Sequence, residues 1–302
     1  METKNNVQVI GLLVAVLLVG SLFLFAFYGR QTKNSSENAL TPIISFSHSH
    51  GIAVDISDPK KVYIATHEGL FLLSDDKDLF QIGKTRDDLM GFSTHSTEPN
   101  TFFSSGHSAR GGNIGFQKTT DGGITWEKIS DGLGGPVDLH AMTVSQANPN
   151  IVYGVYGDKL QRSSDGGHSW EYAKSAITPI SLSSDPKNEN TLYASTPDGV
   201  EISRDRGDSW QAVSTQLKGG GVTVFAVDPL SSYALAFSQN LGGMGKSTDG
   251  GVTWQRIQEI FGGEAVLYLA FSKTQAGVVY ALTNKNSIYK SIDSGDRWMK
   301  VR

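Results

Sequence analysis

The chain has 302 residues, 38% hydrophobic and 10% aromatic, with 34 glycines, no cysteine and a formal net charge of −4. Length and composition suit one large, turn-rich β domain rather than several domains. Charges of both signs are interspersed without a basic stripe, which argues against a nucleic-acid surface, and no glycine cluster forms a Walker or dinucleotide loop.

The N-terminus is a segment apart. From Val9 to Phe27 the residues are uncharged and almost wholly apolar (VIGLLVAVLLVGSLFLFAF), and about 20 such residues cross a bilayer as a helix. The run is longer than that of a usual secretory signal, and FAFYGR offers no small-x-small cleavage site. Without cysteine there is no lipoprotein processing, although the redox compartment stays open. The sequence therefore predicts a short tail over 1–5, an uncleaved transmembrane signal anchor over 6–28 and a flexible linker over 29–41. Arg30 and Lys33 beyond the span lean against export, but an anchor followed by a Ser/Asn-rich linker and a globular body is a common surface-protein plan. The expectation is a single-pass cell-membrane protein with its body on the extracytoplasmic side.

From residue 42 onward the chain is repetitive. The phrase Ser/Thr-x-Asp-x-Gly-x-x-Trp recurs at TTDGGITW, SSDGGHSW, SRDRGDSW, STDGGVTW and SIDSGDRW. Its aspartates are Asp121, Asp165, Asp205, Asp249 and Asp293, spaced by 44, 40, 44 and 44 residues, and its tryptophans are Trp126, Trp170, Trp210, Trp254 and Trp298. Such a period signifies one supersecondary unit repeated. One step upstream, LLSDDKDLF around Asp76 reads as a sixth, degenerate copy. Between the phrases lie short β-branched and aromatic runs bounded by turn residues, such as DPKKVYIAT and NPNIVYGVY, which read as strands. Four short strands per repeat, six times over, predict an all-β, six-bladed β-propeller over 42–302.

The recurring phrase resembles the Asp-box, or BNR repeat, of sialidases, sortilin-type receptors, xyloglucan-cleaving enzymes and the propeller factor of photosystem II assembly. The segments HGIAVD, MGFSTH, SGHSARGGNIGF and DLHAMTVS are similar to bacterial membrane-anchored Asp-box propellers labelled glycosyl-hydrolase-like. The resemblance implies that the box is a fold element: Asp accepts hydrogen bonds within a tight turn, Gly supplies a positive φ, and Trp packs in the seam between blades. The five aspartates and five tryptophans are thus expected to be structural, and the resemblance does not by itself assign an activity.

In a propeller with strands a to d running outward, Asp-box turns join c to d on one face, and the d-to-a and b-to-c loops surround the channel mouth on the other. Aligning the repeats on the aromatic of strand b places His50, Met90 and His140 at the start of strand a in blades 1–3, and His67 and His107 in the b-to-c loops. His48 and Met142 lie two residues from His50 and His140, on the same side of their strands. Five of seven histidines thus converge on one sector. With thioethers they suit copper, and alone they suit zinc. His95, near the far end of strand a, and His168, inside an Asp-box, fall outside the group.

The enzymatic alternative is glycoside hydrolysis, which requires two carboxyls about 5–10 Å apart. Glu68, Asp87, Asp88, Asp138, Asp198 and Glu264 are the channel-face candidates. Typical sialidase activity is not expected: the sialidase pattern includes an Arg-Ile-Pro motif and three clamp arginines, whereas here only Arg86 and Arg110 fall on the channel face, where they are ligand-binding candidates. A third reading is a platform for a peptide or protein, with the long loop SGHSARGGNIGF (105–116) reaching over the channel mouth. Ligand binding at the channel face of blades 1–3 is the leading expectation, with a His/Met site for copper or zinc as one means of it and a glycan, peptide or protein as ligand.

Overall fold

A computed structural model describes residues 39–258 and 261–302. The chain divides into two units, 1–41 and 42–302. The expected membrane anchor and most of the linker lie outside the described residues. Among the described residues no helix is long and apolar enough to cross a membrane.

The second unit is a six-bladed β-propeller. The innermost strands are Ser49–Val54, Asp88–Thr94, Ala141–Val144, Ser181–Ser184, Val222–Val227 and Val266–Phe271. Each begins a sheet in which the next three strands follow antiparallel and in sequence order from the axis outward. Innermost strands touch their neighbours, and the last touches the first, so the ring is closed around a central channel. Both faces of a blade are covered by neighbours. Second strands such as Lys61–Thr66 and Val279–Thr283 are therefore buried almost throughout.

Each Asp-box occupies the turn between third and outer strands. Asp165 is representative: Oδ1 accepts the Ser163 hydroxyl (2.8 Å) and the Ser169 N–H (2.9 Å), and Oδ2 accepts the Ser169 hydroxyl (2.6 Å). The carboxylate is thus held by two hydroxyls and one backbone N–H. The second glycine of the box is compelled twice over. Gly167 has φ +90°, and a Cβ there would lie 2.1 Å from Phe116 of the preceding blade.

The tryptophans close the seams. Trp170 meets the Phe116 ring edge-on at 5.3 Å and donates Nε1–H to the Ser130 hydroxyl (2.9 Å), both in blade 2. Trp254 and Trp298 are 6% and 4% exposed within inter-blade cores that also contain Phe225 and Phe261 respectively.

The seam between the last and first blades lacks a tryptophan. Its core comprises Ile64, Phe71 and Leu73 from blade 1 with Tyr280, Leu282 and Ile288 from blade 6. Asp76, the aspartate of the degenerate copy, accepts hydrogen bonds from the Tyr280 hydroxyl and the Lys290 ammonium, both at 2.6 Å. Blade 6 has its own outer strand, Met299–Lys300, and blade 1 has Asp78–Ile82, so no strand is exchanged to close the ring. Ile43 lies beyond Asp78–Ile82 and donates its N–H to the Leu79 carbonyl (2.9 Å), extending the edge of blade 1 rather than completing it.

Candidate functional site

The channel mouth opposite the Asp-box turns gathers five histidines and two aspartates of blades 1–3. Two local features bring them together. Register shifts in blade 1 between Ser49 and Gly51 and in blade 2 between Leu89 and Phe92 interrupt the regular pairing at the start of the innermost strands, as bulges do when they re-aim side chains. Glycines then let adjacent blades close up: a Cβ on Gly91 would lie 2.3 Å from the Leu139 carbonyl oxygen of the next blade.

The result is two triads, each straddling a seam. His50 and His67 of blade 1 meet Asp88 of blade 2, and His107 of blade 2 meets Asp138 and His140 at the entry to blade 3. Within each triad one potential ligand atom per residue lies within 4.8 Å of the others. His67 Nδ1 is 2.5 Å from Asp88 Oδ2, and His50 Nε2 is 3.4 Å from Asp88 Oδ1. Asp138 Oδ2 lies 2.8 Å from His107 Nε2 and 2.5 Å from His140 Nε2. The triads adjoin, because Asp88 of the first is the cross-strand partner of His107 of the second.

Burial within the triads is uneven. The His50 and Asp88 side chains are 11% and 14% exposed, whereas those of His67 and His107 are each 44% exposed. Burial, reinforced by His67 and His48, lowers the His50 imidazolium to about 4, so the ring is neutral at physiological pH. Burial raises the Asp88 carboxyl. His140 is raised, chiefly by its hydrogen bond to Asp138. Three buried polar atoms, His50 Nε2, Asp88 Oδ1 and Asp138 Oδ1, have no hydrogen-bond partner among the described residues. Buried polar atoms are rarely left so.

The other predicted residues fall as follows. His48, exposed at φ +41°, lies beside His67 with the rings tilted at 56° and their centroids 4.8 Å apart. Met90 lines the channel beside His50 and His140. Met142 is 7% exposed and packs in the core between blades 2 and 3, so sharing a strand with His140 does not leave its thioether at the mouth. Asp87 accepts the Ala109 N–H (2.8 Å) and anchors the long loop. Arg86 turns its guanidinium onto the Gly83 and Thr85 carbonyls, and Arg110 lies exposed in that loop. Glu264 accepts the Thr283 hydroxyl (2.6 Å) in blade 6, Asp198 belongs to blade 4, and Glu68 is exposed on blade 1. His95 caps a turn at the far end, with Nδ1 accepting the Glu98 N–H (2.9 Å).

Asp88 and Asp138 stood among the candidate acids, not the ligands. The signal that would have joined them to the histidines is register: His48, Asp88 and Asp138 each precede by two residues the position occupied by His50, Met90 and His140.

The BNR/Asp-box repeat family model matches residues 117–128. With five intact boxes and the six blades, the chain is an Asp-box β-propeller. No curated protein sequence matches it. Among solved structures it is similar to the GH74 xyloglucanase of Xanthomonas campestris (TM-score 0.60, 17% identity, 86% of this chain and 46% of that one). The GH74 enzyme of Niastella koreensis gives a TM-score of 0.63 at 14% identity, over 87% of this chain and 46% of that one. YCF48 bound to a D1 peptide gives 0.55 at 14%, over 86% of this chain and 84% of that one. At these identities the likeness establishes the fold, and the chain spans less than half the length of either GH74 enzyme.

Proposed function

We propose that the channel mouth of blades 1–3 is a divalent-metal site that binds a ligand through the open positions of its metal ions, on a propeller tethered to the membrane by residues 6–28 and facing the extracytoplasmic side. The observation that carries this reading is the pair His50 Nε2 and Asp88 Oδ1, both buried and without a hydrogen bond, facing each other at ion-pair distance, 3.4 Å. A cation between them would satisfy both. Two histidines and a carboxylate with a fourth position free is a zinc-type complement.

A second reading is a peptide- or protein-binding platform, favoured by the match to YCF48 over most of that protein's length. Glycan hydrolysis is supported less, because Asp88 and Asp138 are each engaged by imidazoles rather than facing one another as a free acid and base.

The test is metal content by mass spectrometry on the full chain after loading with zinc and, separately, copper. Wild type is expected to retain up to two zinc ions, His67→Ala and His140→Ala one each, and the double variant none, with unchanged circular dichroism. Folded wild type that retains no metal would refute the reading.

A further inference from the structure

The two triads are fixed to one another. Asp88 of the first and His107 of the second sit directly opposite each other on the first two strands of blade 2, where Cβ atoms are about 4.5–5.5 Å apart. One residue before Asp88, Asp87 Oδ1 accepts the Ala109 N–H (2.8 Å), which ties down the long loop two residues past His107. From the same loop Asn113 Nδ2 donates to the Pro136 carbonyl (2.9 Å), two residues before Asp138, and to the Tyr156 hydroxyl (3.2 Å). The segment carrying Asp138 and His140 is therefore held to the loop carrying His107, and that loop to the strand carrying Asp88.

Charge then selects the ligand. Within three residues of the six triad members the other charged side chains are Glu68, Asp87, Arg86 and Arg110, two of each sign. The triads themselves offer two carboxylates and four imidazoles, which ligate in their neutral form. With a divalent ion in each triad the carboxylates offset half of the added charge, and two positive charges stay uncompensated at one channel mouth. Each triad supplies three ligand atoms and leaves one position of a four-coordinate ion open. The Asp88 and Asp138 side chains are 14% and 7% exposed while those of His67 and His107 are each 44% exposed, so a ligand approaches the pair from the side of these two imidazoles.

On the metal reading above, we propose that the two triads together form a subsite for a phosphate dianion, free or as a monoester, with one of its oxygens filling the open position at each triad. A dianion cancels both surplus charges, whereas a carboxylate monoanion leaves one unmatched. Phosphate oxygens are donors that zinc accepts at about 2 Å, and paired metal ions clamp such groups from two sides. Triads that begin on directly opposed residues call for a small bridging anion rather than an extended one.

The test takes the full chain loaded with zinc and freed of excess, with zinc read by mass spectrometry and ligand binding by calorimetry. Wild type holding two zinc ions is expected to bind inorganic phosphate at least about tenfold more tightly than acetate. His67→Ala and His140→Ala, each left with one zinc ion, should bind phosphate about tenfold or more weakly, and chelator-stripped wild type not measurably. Phenyl phosphate separates the two sources: affinity equal to that of inorganic phosphate assigns the site to monoesters, and loss of binding assigns it to the free ion. Folded wild type that retains no zinc would refute the metal reading and the subsite with it. A single retained zinc ion would overturn the subsite alone. So would two zinc ions with no phosphate binding, with acetate bound as tightly, or with undiminished phosphate affinity in a single-zinc variant or in stripped protein.

Discussion

Asp165, Asp205 and Asp249 each tie the two ends of a tight turn, and each carboxyl is held at about 2, first by the hydroxyl four residues on, Ser169, Ser209 and Thr253. A carboxyl lowered in the fold stabilises it fully above its unfolded value near 4, and that contribution fades as pH falls through the folded value. The thermal midpoint should therefore drop between about pH 4 and pH 2, and Asp→Asn at all three boxes should flatten this drop while lowering the midpoint at neutral pH. Equal slopes in variant and parent would show that the boxes do not carry acid sensitivity. The glycine of the box is constrained as tightly: Gly207 has φ +91°, and a Cβ would lie 2.4 Å from Leu160 Cδ2 of the preceding blade. Gly207→Ala should cost about 1–3 kcal/mol in denaturant unfolding.

Seams join whole blades, and there burial ranks the tryptophans. Trp298, 4% exposed and tilted against Phe261 at 5.4 Å, should lose about 3–5 kcal/mol on truncation to alanine. Half-buried Trp170, edge-on to Phe116, should lose less, and chemical denaturation that found the reverse order would break the link between burial and seam strength. The same contacts explain why the fold was legible in the sequence. Asp, Gly and Trp of the box act within eight residues or against the adjoining repeat, so their spacing alone reports blade number and order. The triads act otherwise. Asp88 reaches His50 and His67 across a seam, by way of bulges that hydrophobic alternation does not encode, so the sequence put Asp88 and Asp138 on the channel face without joining them to the histidines. Met142 shows the converse limit, since strand parity set it beside His140 while inter-blade packing against Gly91 drew it into the core.

A closed ring holds its first and last blades together at a single seam, where six repeats have only five good boxes. In this protein Asp76 has left the turn-tying role and bridges blades instead, accepting the Tyr280 hydroxyl and the Lys290 ammonium. Its own backbone sits at φ +60° and that of Asp75 at +52°, a conformation the other boxes give to glycine except at Arg206 and Ser294 and one that aspartate tolerates better than most residues. Removing the carboxylate would strand a buried phenol, which burial and then its acidic neighbours already raise, and a lysine side chain only 14% exposed. Losing hydrogen bonds of this kind costs about 1–3 kcal/mol when the partners stay buried. The loss falls where the chain's two ends of the propeller meet, so it should act through loop closure, freeing blades 1 and 6 while the middle of the ring stays intact. Asp76→Ala is accordingly expected to speed amide hydrogen exchange in Lys61–Thr66 and Val279–Thr283 by roughly ten- to a hundredfold and to leave Leu192–Thr196 in blade 4 unchanged. The double substitution Tyr280→Phe with Lys290→Met, which removes the groups that Asp76 serves, should recover part of the lost protection of the single variant. Faster exchange spread evenly over all six blades would mean instead that the propeller opens as one unit, and that closure rests on the shared apolar core of Phe71, Leu73 and Leu282 rather than on Asp76.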